Sequence, residues 1–338
     1  MCRINNGENG ECRMSKEDMW IKVRNAQTIA IGGHVRPDGD CVGSCMALYR
    51  YLCMAFPEKK VDVFFESMPT QFAELFEKDS YQIGFKEALD QYDLFFSLDC
   101  GDKERLGDGA KVFEEAKDTI CIDHHISNIG YATLNFIAPK ASSASEVLYE
   151  LLDDTKINTD VATALYLGIA HDSGVFKYSC TSKRTMEIAG VLIEKGVDTN
   201  NLLDQTFYHK SYVQNQILGR VLLESILLLN GKVIASCVTN KIMQFYGATS
   251  SDLDGIVEQL KLTDGVEMAV LVHEIEPLVY KVSMRSGDKI NVASIAKHFG
   301  GGGHVKAAGC TMSGTYYDIM NSLLELADIQ LNKRKERK

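Results

Sequence analysis

The chain of 338 residues is long enough for two domains, and its 45% hydrophobic and 24% charged residues are typical of a globular protein. Its net charge of −10 excludes a protein that holds long duplex DNA by charge alone, and no apolar run is long enough to span a bilayer. Ten scattered cysteines without a C-x-x-C pair predict free thiols in a reducing cytoplasm. Residues 1–13 are polar and are predicted to be a disordered leader, with Met14 as an alternative start.

Short apolar runs alternate with amphipathic stretches in the first half of the chain. The apolar runs predict strands at residues 28–32, 61–65, 92–98 and 119–122. The amphipathic stretches predict helices at residues 41–54, 143–152, 159–169 and 182–195, and Ser143 with Glu146 has the sequence of a capping box. Strands that alternate with helices predict an α/β domain with a parallel, doubly wound sheet over residues 14–198.

The second half predicts a linker and a smaller α+β domain. Residues 199–230 are predicted to be the linker, with a long helix at 212–229 that Gly231 ends. The domain follows over residues 231–338, with strands at 233–238, 267–272 and 279–284 and helices at 290–298 and from 316 to about 332. We interpret the final KRKERK run as a solvated tail that suits the negative end of a helix.

Side chains that suit metal ions follow the predicted strands of the first domain. Taken one at a time, each has an ordinary explanation as a cap or a turn residue. Three of the four groups follow apolar strands, however, and the carboxyl ends of parallel strands meet at one sheet edge. The candidates are His34, Asp38 and Asp40 after the first strand, Asp99 after the third, Asp123, His124 and His125 after the fourth, and Asp172 where a helix ends.

The donor set predicts a centre with two divalent cations. Aspartate oxygens with imidazole nitrogens suit Mn²⁺ or Mg²⁺ before Zn²⁺. Four aspartates with two or three histidines exceed what one ion needs, whereas two ions about 3.5–4 Å apart would use them all. Mn²⁺ is the expected metal, and Mg²⁺ and Co²⁺ are left open.

A glycine-rich segment, GGGGHVKAAG, occupies residues 300–309 of the predicted second domain. A flexible linker is the simpler interpretation. We favour a loop whose backbone N–H groups approach a phosphate closely, with the N-terminus of a small-residue helix behind it.

Four motifs of the first domain, GHVRPDGDCVGS, the aspartate of SLDCGD, IDHH and HDSG, resemble in order those of the DHH phosphoesterase family. The resemblance extends over nearly the whole chain from about Ile29. It implies one ion bound by His34, Asp38, Asp99 and Asp172, and another bound by Asp40, Asp99, His124 and Asp172. It also implies that His125 faces the substrate, to bind or protonate it, and that Asp123 orients a ligating histidine.

The second domain resembles the first type of DHH-associated C-terminal domain, through the glycine motif and the strand VSMRS. This resemblance implies that Arg285, Gly301, Gly302, Gly303 and His304 bind the substrate. In size, the chain resembles the compact branch of bifunctional oligoribonucleases (nano-RNases) and 3′-phosphoadenosine 5′-phosphate phosphatases. The longer exonucleases of the family carry additional domains, and its pyrophosphatases have a different second domain.

The expected function is therefore that of a two-metal phosphoesterase, in which a metal-activated hydroxide attacks short RNA or a small phosphorylated nucleotide. A phosphodiesterase for cyclic dinucleotides or their linear products is an alternative. A catalytically inactive nucleotide-binding regulator is a third, which the complete set of ligand residues disfavours. The expected location is the cytoplasm, without a membrane partner, and a homodimer is left open.

Overall fold

The computed structural model describes residues 15–333, so that the predicted leader, Met14 and all but the first residue of the predicted KRKERK tail lie outside the described residues. The chain divides into two compact units, Met1–His209 and Lys210–Lys338. The division falls inside the segment 199–230 that the sequence predicts as a linker. No helix within residues 15–333 has both the length and the apolar character needed to cross a bilayer.

The first unit alternates strands and helices along the chain. Its regular elements are α1 (Lys16–Asn25), β1 (Thr28–Gly32), α2 (Gly39–Ala55), β2 (Lys60–Phe65), α3 (Thr70–Ala73), β3 (Gln82–Ile83), β4 (Leu94–Leu98), α4 (Gly109–Glu115), β5 (Thr119–Asp123), β6 (Leu134–Ile137), α5 (Ala144–Leu151), α6 (Thr159–Asp172), α7 (Lys183–Glu194) and α8 (Thr199–Leu203). Short 3₁₀ turns lie at Glu74–Phe76, Glu104–Leu106 and Asp154–Lys156, and a π-helical turn spans Asp204–Tyr208.

The strands of the first unit form one parallel sheet in the order β3-β2-β1-β4-β5-β6. Every residue of β4 and β5 is buried, which explains why these strands read as continuous apolar runs. The first strand, β1, lies inside the sheet, and β2 and β3 are added on one side of it. The chain then crosses back, so that β4, β5 and β6 are added on the other side, as in doubly wound folds. The predicted α/β class with a parallel doubly wound sheet is therefore confirmed.

The capping box predicted at Ser143 is only half correct. The Ser143 hydroxyl accepts a hydrogen bond from the backbone N–H of Glu146, as predicted for the N-cap of α5. The Glu146 carboxylate does not return to Ser143. Instead, it accepts hydrogen bonds from the hydroxyls of Ser142, at 2.6 Å, and Thr185, at 2.7 Å. A distant partner on α7 thus competes with the local cap.

The second unit is a mixed sheet with helices. Its regular elements are α9 (Tyr212–Leu223), β7 (Ile226–Leu228), β8 (Val233–Val238), α10 (Asn240–Tyr246), α11 (Ile256–Lys261), β9 (Met268–Glu276), β10 (Val279–Ser286), α12 (Val292–His298), β11 (Gly302–His304), β12 (Ala307–Ser313) and α13 (Tyr316–Lys333), with a 3₁₀ turn at Ser250–Leu253. The strand order is β11-β12-β10-β9-β8-β7, and only the β8–β9 pair is parallel. The predicted α+β character of this part is confirmed.

The long helix predicted over residues 212–229 is shorter in the structure. Helix α9 ends at Leu223, and the leucine-rich stretch that follows forms the edge strand β7. Leu229 and Asn230 then adopt positive φ angles of 47° and 54°, which a helix does not permit. The apolar run predicts one helix, but its second part pairs antiparallel with β8.

The predicted helix behind the glycine motif is wrong. Residues Gly302–His304 and Ala307–Ser313 form two antiparallel strands, and the second of them also pairs with β10 along its whole length. Sheet pairing therefore overrides the helix propensity of the alanines. A Cβ atom at Gly301 would lie 2.2 Å from the carbonyl oxygen of Gly309, so that this close approach of two backbones requires glycine.

Candidate functional site

Polar side chains gather where β1, β4 and β5 end, at the carboxyl edge of the first sheet. These three strands are adjacent and parallel, so the residues that follow them reach the same edge. Asp172, the last residue of α6, joins them from a helix. The predicted site residues brought together here are His34, Asp38, Asp40, Asp99, Asp123, His124, His125 and Asp172.

Three sets of ligand atoms lie close enough together to hold a metal ion. The atoms of each set are within 4.8 Å of one another. The sets are His34, Asp38 and Asp99; Asp40, His124 and Asp172; and Asp99, His124 and His125. Asp99 is shared by two sets, whereas Asp172, for which the family resemblance implies contact with both ions, groups only with Asp40 and His124 among the described residues.

Asp99 lies at the centre of these sets. Its two carboxylate oxygens face two histidines, with His34 Nε2 3.4 Å from Oδ2 and His124 Nε2 3.5 Å from Oδ1. The side chain is 3% exposed, and Oδ1 has no hydrogen-bond partner. Its backbone takes a φ of 53°, which costs a non-glycine residue about 1–3 kcal/mol. A divalent cation would satisfy this buried, unpartnered oxygen, so the donor set fits such an ion.

Asp40 is held by the start of a helix that lies far away in the sequence. Its carboxylate accepts hydrogen bonds from the backbone N–H groups of Ala144, at 2.5 Å, and Ser145, at 3.0 Å, in the first turn of α5. Gly168 of α6 leaves the space for this contact, since a Cβ atom there would lie 2.6 Å from Asp40 Oδ1. Sequence reasoning missed both contacts, because nothing local to Asp40 signals them.

The electrostatics of the cluster favour cations. Burial alone would lower the pKa of both histidines, but the surrounding aspartates raise it to about 11 at His34 and about 10 at His124. Burial and the neighbouring carboxylates of Asp99 and Asp172 raise the pKa of Asp40 well above its usual range. Without a bound cation, protons on the imidazoles balance the crowded carboxylates.

Metal binding should therefore be coupled to proton release. A cation can bind an imidazole nitrogen only after the proton has left, and the raised pKa values keep His34 and His124 protonated at neutral pH. The apparent dissociation constant for Mn²⁺ is expected to decrease as the pH rises from about 6 to about 8, by about tenfold per pH unit for each proton released. Calorimetry in buffers with different ionisation enthalpies measures this release. Equal heats in all buffers would contradict it.

Asp123 contacts one of the two histidines that directly follow it. Its Oδ1 lies 2.8 Å from Nδ1 of His125, the residue expected to face the substrate, and the Asp123 side chain is fully buried. Its partner is thus His125 and not His124. Because Asp99, His124 and His125 form one of the candidate ligand sets, the expectation that Asp123 orients a ligating histidine stays a prediction. Asp123 raises the pKa of His125 above its ordinary value.

His171, which precedes Asp172 in the HDSG motif, packs instead of joining a ligand set. Its ring lies edge-on to Phe72 and Phe207, with ring centroids 5.1 and 5.3 Å apart, and Nε2 is 3.2 Å from the hydroxyl of Thr206. A Cβ atom at Gly39 would lie 2.3 Å from this ring. Burial lowers the pKa of His171 to about 4, so the ring is neutral at pH 7 and packs against the start of α2.

The residues expected to bind substrate in the second unit lie on the two strands that flank β12, with Arg285 on β10, Gly302, Gly303 and His304 on β11, and Gly301 directly before β11. Arg285 and His304 both stand opposite Ala307 of the central strand β12, which places them at the same end of the sheet. Gly302, Gly303 and His304 are exposed. Arg285 is engaged, because its Nε and Nη2 both lie 2.6 Å from Oε1 of Glu258.

Known proteins resemble this chain over both of its units. Residues 28–169 match the DHH family, N-terminal domain, and residues 230–333 match the DHHA1 domain. The bifunctional oligoribonuclease and PAP phosphatase NrnA of Mycoplasma pneumoniae is 30% identical over 291 residues, covering 84% of this chain and 87% of that protein. The protein of the same name from Bacillus subtilis is 28% identical over 315 residues, covering 88% and 93%.

A solved structure shows the same fold. The exopolyphosphatase-related protein from Bacteroides fragilis superposes with a TM-score of 0.82 at 22% identity, covering 93% of this chain and 97% of that one. The resemblance inferred from the four motifs and the glycine segment is thus confirmed over both units. The chain belongs to the DHH family and carries a DHHA1 domain in its second unit.

Proposed function

We propose that the protein is a two-metal phosphoesterase that hydrolyses short oligoribonucleotides, 3′-phosphoadenosine 5′-phosphate, or both. The observation that carries the proposal is Asp99, a buried carboxylate shared by two sets of ligand atoms and left with an unpartnered oxygen. The relatives named as oligoribonuclease and PAP phosphatase support the substrate class, because they match this chain over most of its length.

The proposed ligands divide between two ions, with Asp99 common to both. One ion is assigned to His34, Asp38, Asp99 and Asp172, and the other to Asp40, Asp99, His124 and Asp172, as the family resemblance implies. The sets His34, Asp38 and Asp99 and Asp40, His124 and Asp172 support this division. Bound divalent ions would supply Lewis-acid activation of water and of the phosphoryl group. Asp123 orients His125, whose Nε2 is left to bind or protonate the substrate. Both residues are proposed as catalytic.

The two units are proposed to have different roles, one in catalysis and the other in substrate binding. Residues 14–198 form the catalytic domain, residues 199–230 the linker, and residues 231–338 the substrate-binding domain. Arg285, Gly301, Gly302, Gly303 and His304 are proposed to bind a phosphate of the substrate, with Arg285 as its charged donor. In this structure Arg285 is paired with Glu258. When the substrate binds, its phosphate takes the place of the Glu258 carboxylate.

Mn²⁺ is the metal proposed, ahead of Mg²⁺ and Co²⁺. The protein stripped of metal is expected to turn over substrate faster with Mn²⁺ than with Zn²⁺ or Ca²⁺, because an oxygen-rich site with histidines suits a borderline ion of flexible coordination. Initial rates at matched free-metal concentrations test this. Maximal activity with Ca²⁺ alone would contradict it.

The substrate is tested with metal-reconstituted protein on a panel of short RNA, 3′-phosphoadenosine 5′-phosphate, cyclic and linear dinucleotides, and pyrophosphate. Short RNA or the nucleotide is expected to give the highest kcat/KM. A higher kcat/KM for a cyclic dinucleotide would identify that nucleotide as the substrate in place of the proposed ones. Binding of the panel without any turnover would indicate a regulator.

Cytoplasmic location and a homodimer stay predictions. Sedimentation equilibrium tests whether the protein is a homodimer.

A further inference from the structure

Asn128 is a buried polar residue in the turn that follows His125, and both ends of its side-chain amide make hydrogen bonds. Its Nδ2 donates to Asp123 Oδ2, at 2.7 Å, and to the carbonyl oxygen of Cys100, at 3.1 Å. Its Oδ1 accepts from the backbone N–H of Gly130, at 2.8 Å. Because a backbone N–H can only donate, the contact with Gly130 determines which end of the amide faces Asp123.

The Asp123 carboxylate lies between Asn128 and His125 and contacts both. One oxygen is held by Asn128, and the other lies 2.8 Å from Nδ1 of His125. Asp123 is fully buried and Asn128 is 7% exposed, so the contact between them is shielded from bulk water. With Nδ1 donating to Asp123, Nε2 is the only nitrogen of the His125 ring available to a ligand.

We propose that Asn128 is a positioning residue for His125 and acts through Asp123. The proposal rests on the proposed phosphoesterase function, in which His125 contacts the substrate. Without the amide, Asp123 Oδ2 keeps no side-chain donor and the carboxylate is free to rotate away from Nδ1. The His125 ring then loses its defined orientation, and fewer encounters present Nε2 to the reacting phosphate.

A purely structural role for Asn128 is the competing explanation. Asn128 also shapes its own turn, since its backbone N–H donates to the carbonyl oxygen of His125 at 3.1 Å and its side chain holds Gly130. Asn135, the second residue of β6, offers a matched control nearby in the sequence. Its Oδ1 accepts from the backbone N–H groups of Tyr131, at 3.2 Å, and Ala132, at 3.1 Å. It has no hydrogen bond with Asp123 among the described residues.

The first test is kinetic and uses the metal-loaded full chain with a dinucleotide. Asn128→Ala is expected to lower kcat about tenfold, the effect of losing one charge-assisted hydrogen bond, while KM and bound metal stay within about twofold. Asn135→Ala is expected to lower the unfolding temperature without this loss in kcat. In a His125→Ala background, Asn128→Ala should cause no further loss, because the group that it positions is gone.

The second test does not need turnover. The Nδ1–H proton of His125, assigned by its loss in His125→Gln, is expected in the ¹H–¹⁵N spectrum of the metal-free protein and should disappear or exchange rapidly in Asn128→Ala. The signal should survive in Asn135→Ala. Should Asn128→Ala fail to fold, Asn128→Leu serves instead, because it keeps the branched shape of the side chain but has no donor for Asp123.

Two results would overturn the role of Asn128. One is an equal loss in kcat with and without His125, and the other is an unchanged Nδ1–H signal in the Asn128 variant. Failure of the proposed function looks different, since the wild-type protein would then hydrolyse no phosphoester of the panel while the spectrum still reported whether Asn128 orients the ring.

Discussion

Replacing Asp99 by asparagine is expected to abolish hydrolysis while the protein stays folded. Asparagine keeps the shape of the side chain but removes the negative charge that two histidines and both proposed ions share. The loss in kcat should reach at least about a thousandfold, because the Asp99 carboxylate holds both proposed ions, which would stabilise the charge that develops on the phosphoryl oxygens. The histidines adapt by giving up their protons, which limits the cost to the fold.

The matched control for Asp99→Asn is Asp93→Asn, just before the opposite end of the same strand. Asp93 accepts hydrogen bonds from the backbone N–H groups of Gln27 and Thr28 and pairs with Lys117, so its replacement should cost stability and not activity. The measurements are kcat, bound metal per chain, and the unfolding temperature of the metal-free protein. Near-wild-type turnover by folded Asp99→Asn with full metal would end the two-metal assignment.

The fold of the first unit was predictable because its sheet is buried on both faces. Strands such as β4 and β5 carry no solvent-facing residues, so each is a continuous apolar run that stands out from the amphipathic helices around it. Parallel topology then brings the residues after Gly32, Leu98 and Ile122 to one edge without further information. The candidate ligands of these strands can therefore be predicted as polar residues placed directly after apolar runs.

Contacts between distant residues were not predictable in the same way. Asp40 is held by the first turn of α5, more than a hundred positions away, and no pattern around Asp40 specifies that partner. Asn128 reads as an ordinary turn residue until its amide is seen against Asp123. In the second unit, the Gly-Ala composition of residues 300–309 is compatible with a loop, a helix or a strand, and only the pairing of β11 with β12 and of β12 with β10 decides for strands.

Arg285→Ala is the substitution in the second unit for which the largest effect is expected. The guanidinium is a planar donor that binds phosphate through two parallel hydrogen bonds, and it already binds a carboxylate oxygen of Glu258 through two nitrogens. Loss of such a charge-assisted contact costs about 1.5–3 kcal/mol, or roughly a ten- to hundredfold loss in kcat/KM on a dinucleotide. Arg285→Lys should recover only part of it, since an ammonium lacks the planar fork.

The size of the loss should depend on the substrate and leave the metal in place. All three sets of candidate ligands among residues 15–333 lie in the first unit, so bound metal is expected to be unchanged. Bis-p-nitrophenyl phosphate has no second phosphate, and its hydrolysis should suffer less than that of a dinucleotide.

Arg220→Ala is the control for Arg285→Ala, because it removes another arginine of the second unit that is paired with a glutamate, Glu224. It should leave both substrates unaffected. The decisive comparison is kcat/KM of Arg285→Ala on the dinucleotide and on the ester, with metal quantified in the same samples. Equal losses on both substrates would show that Arg285 supports the fold of its sheet, and that the strand end shared with His304 does not hold a phosphate.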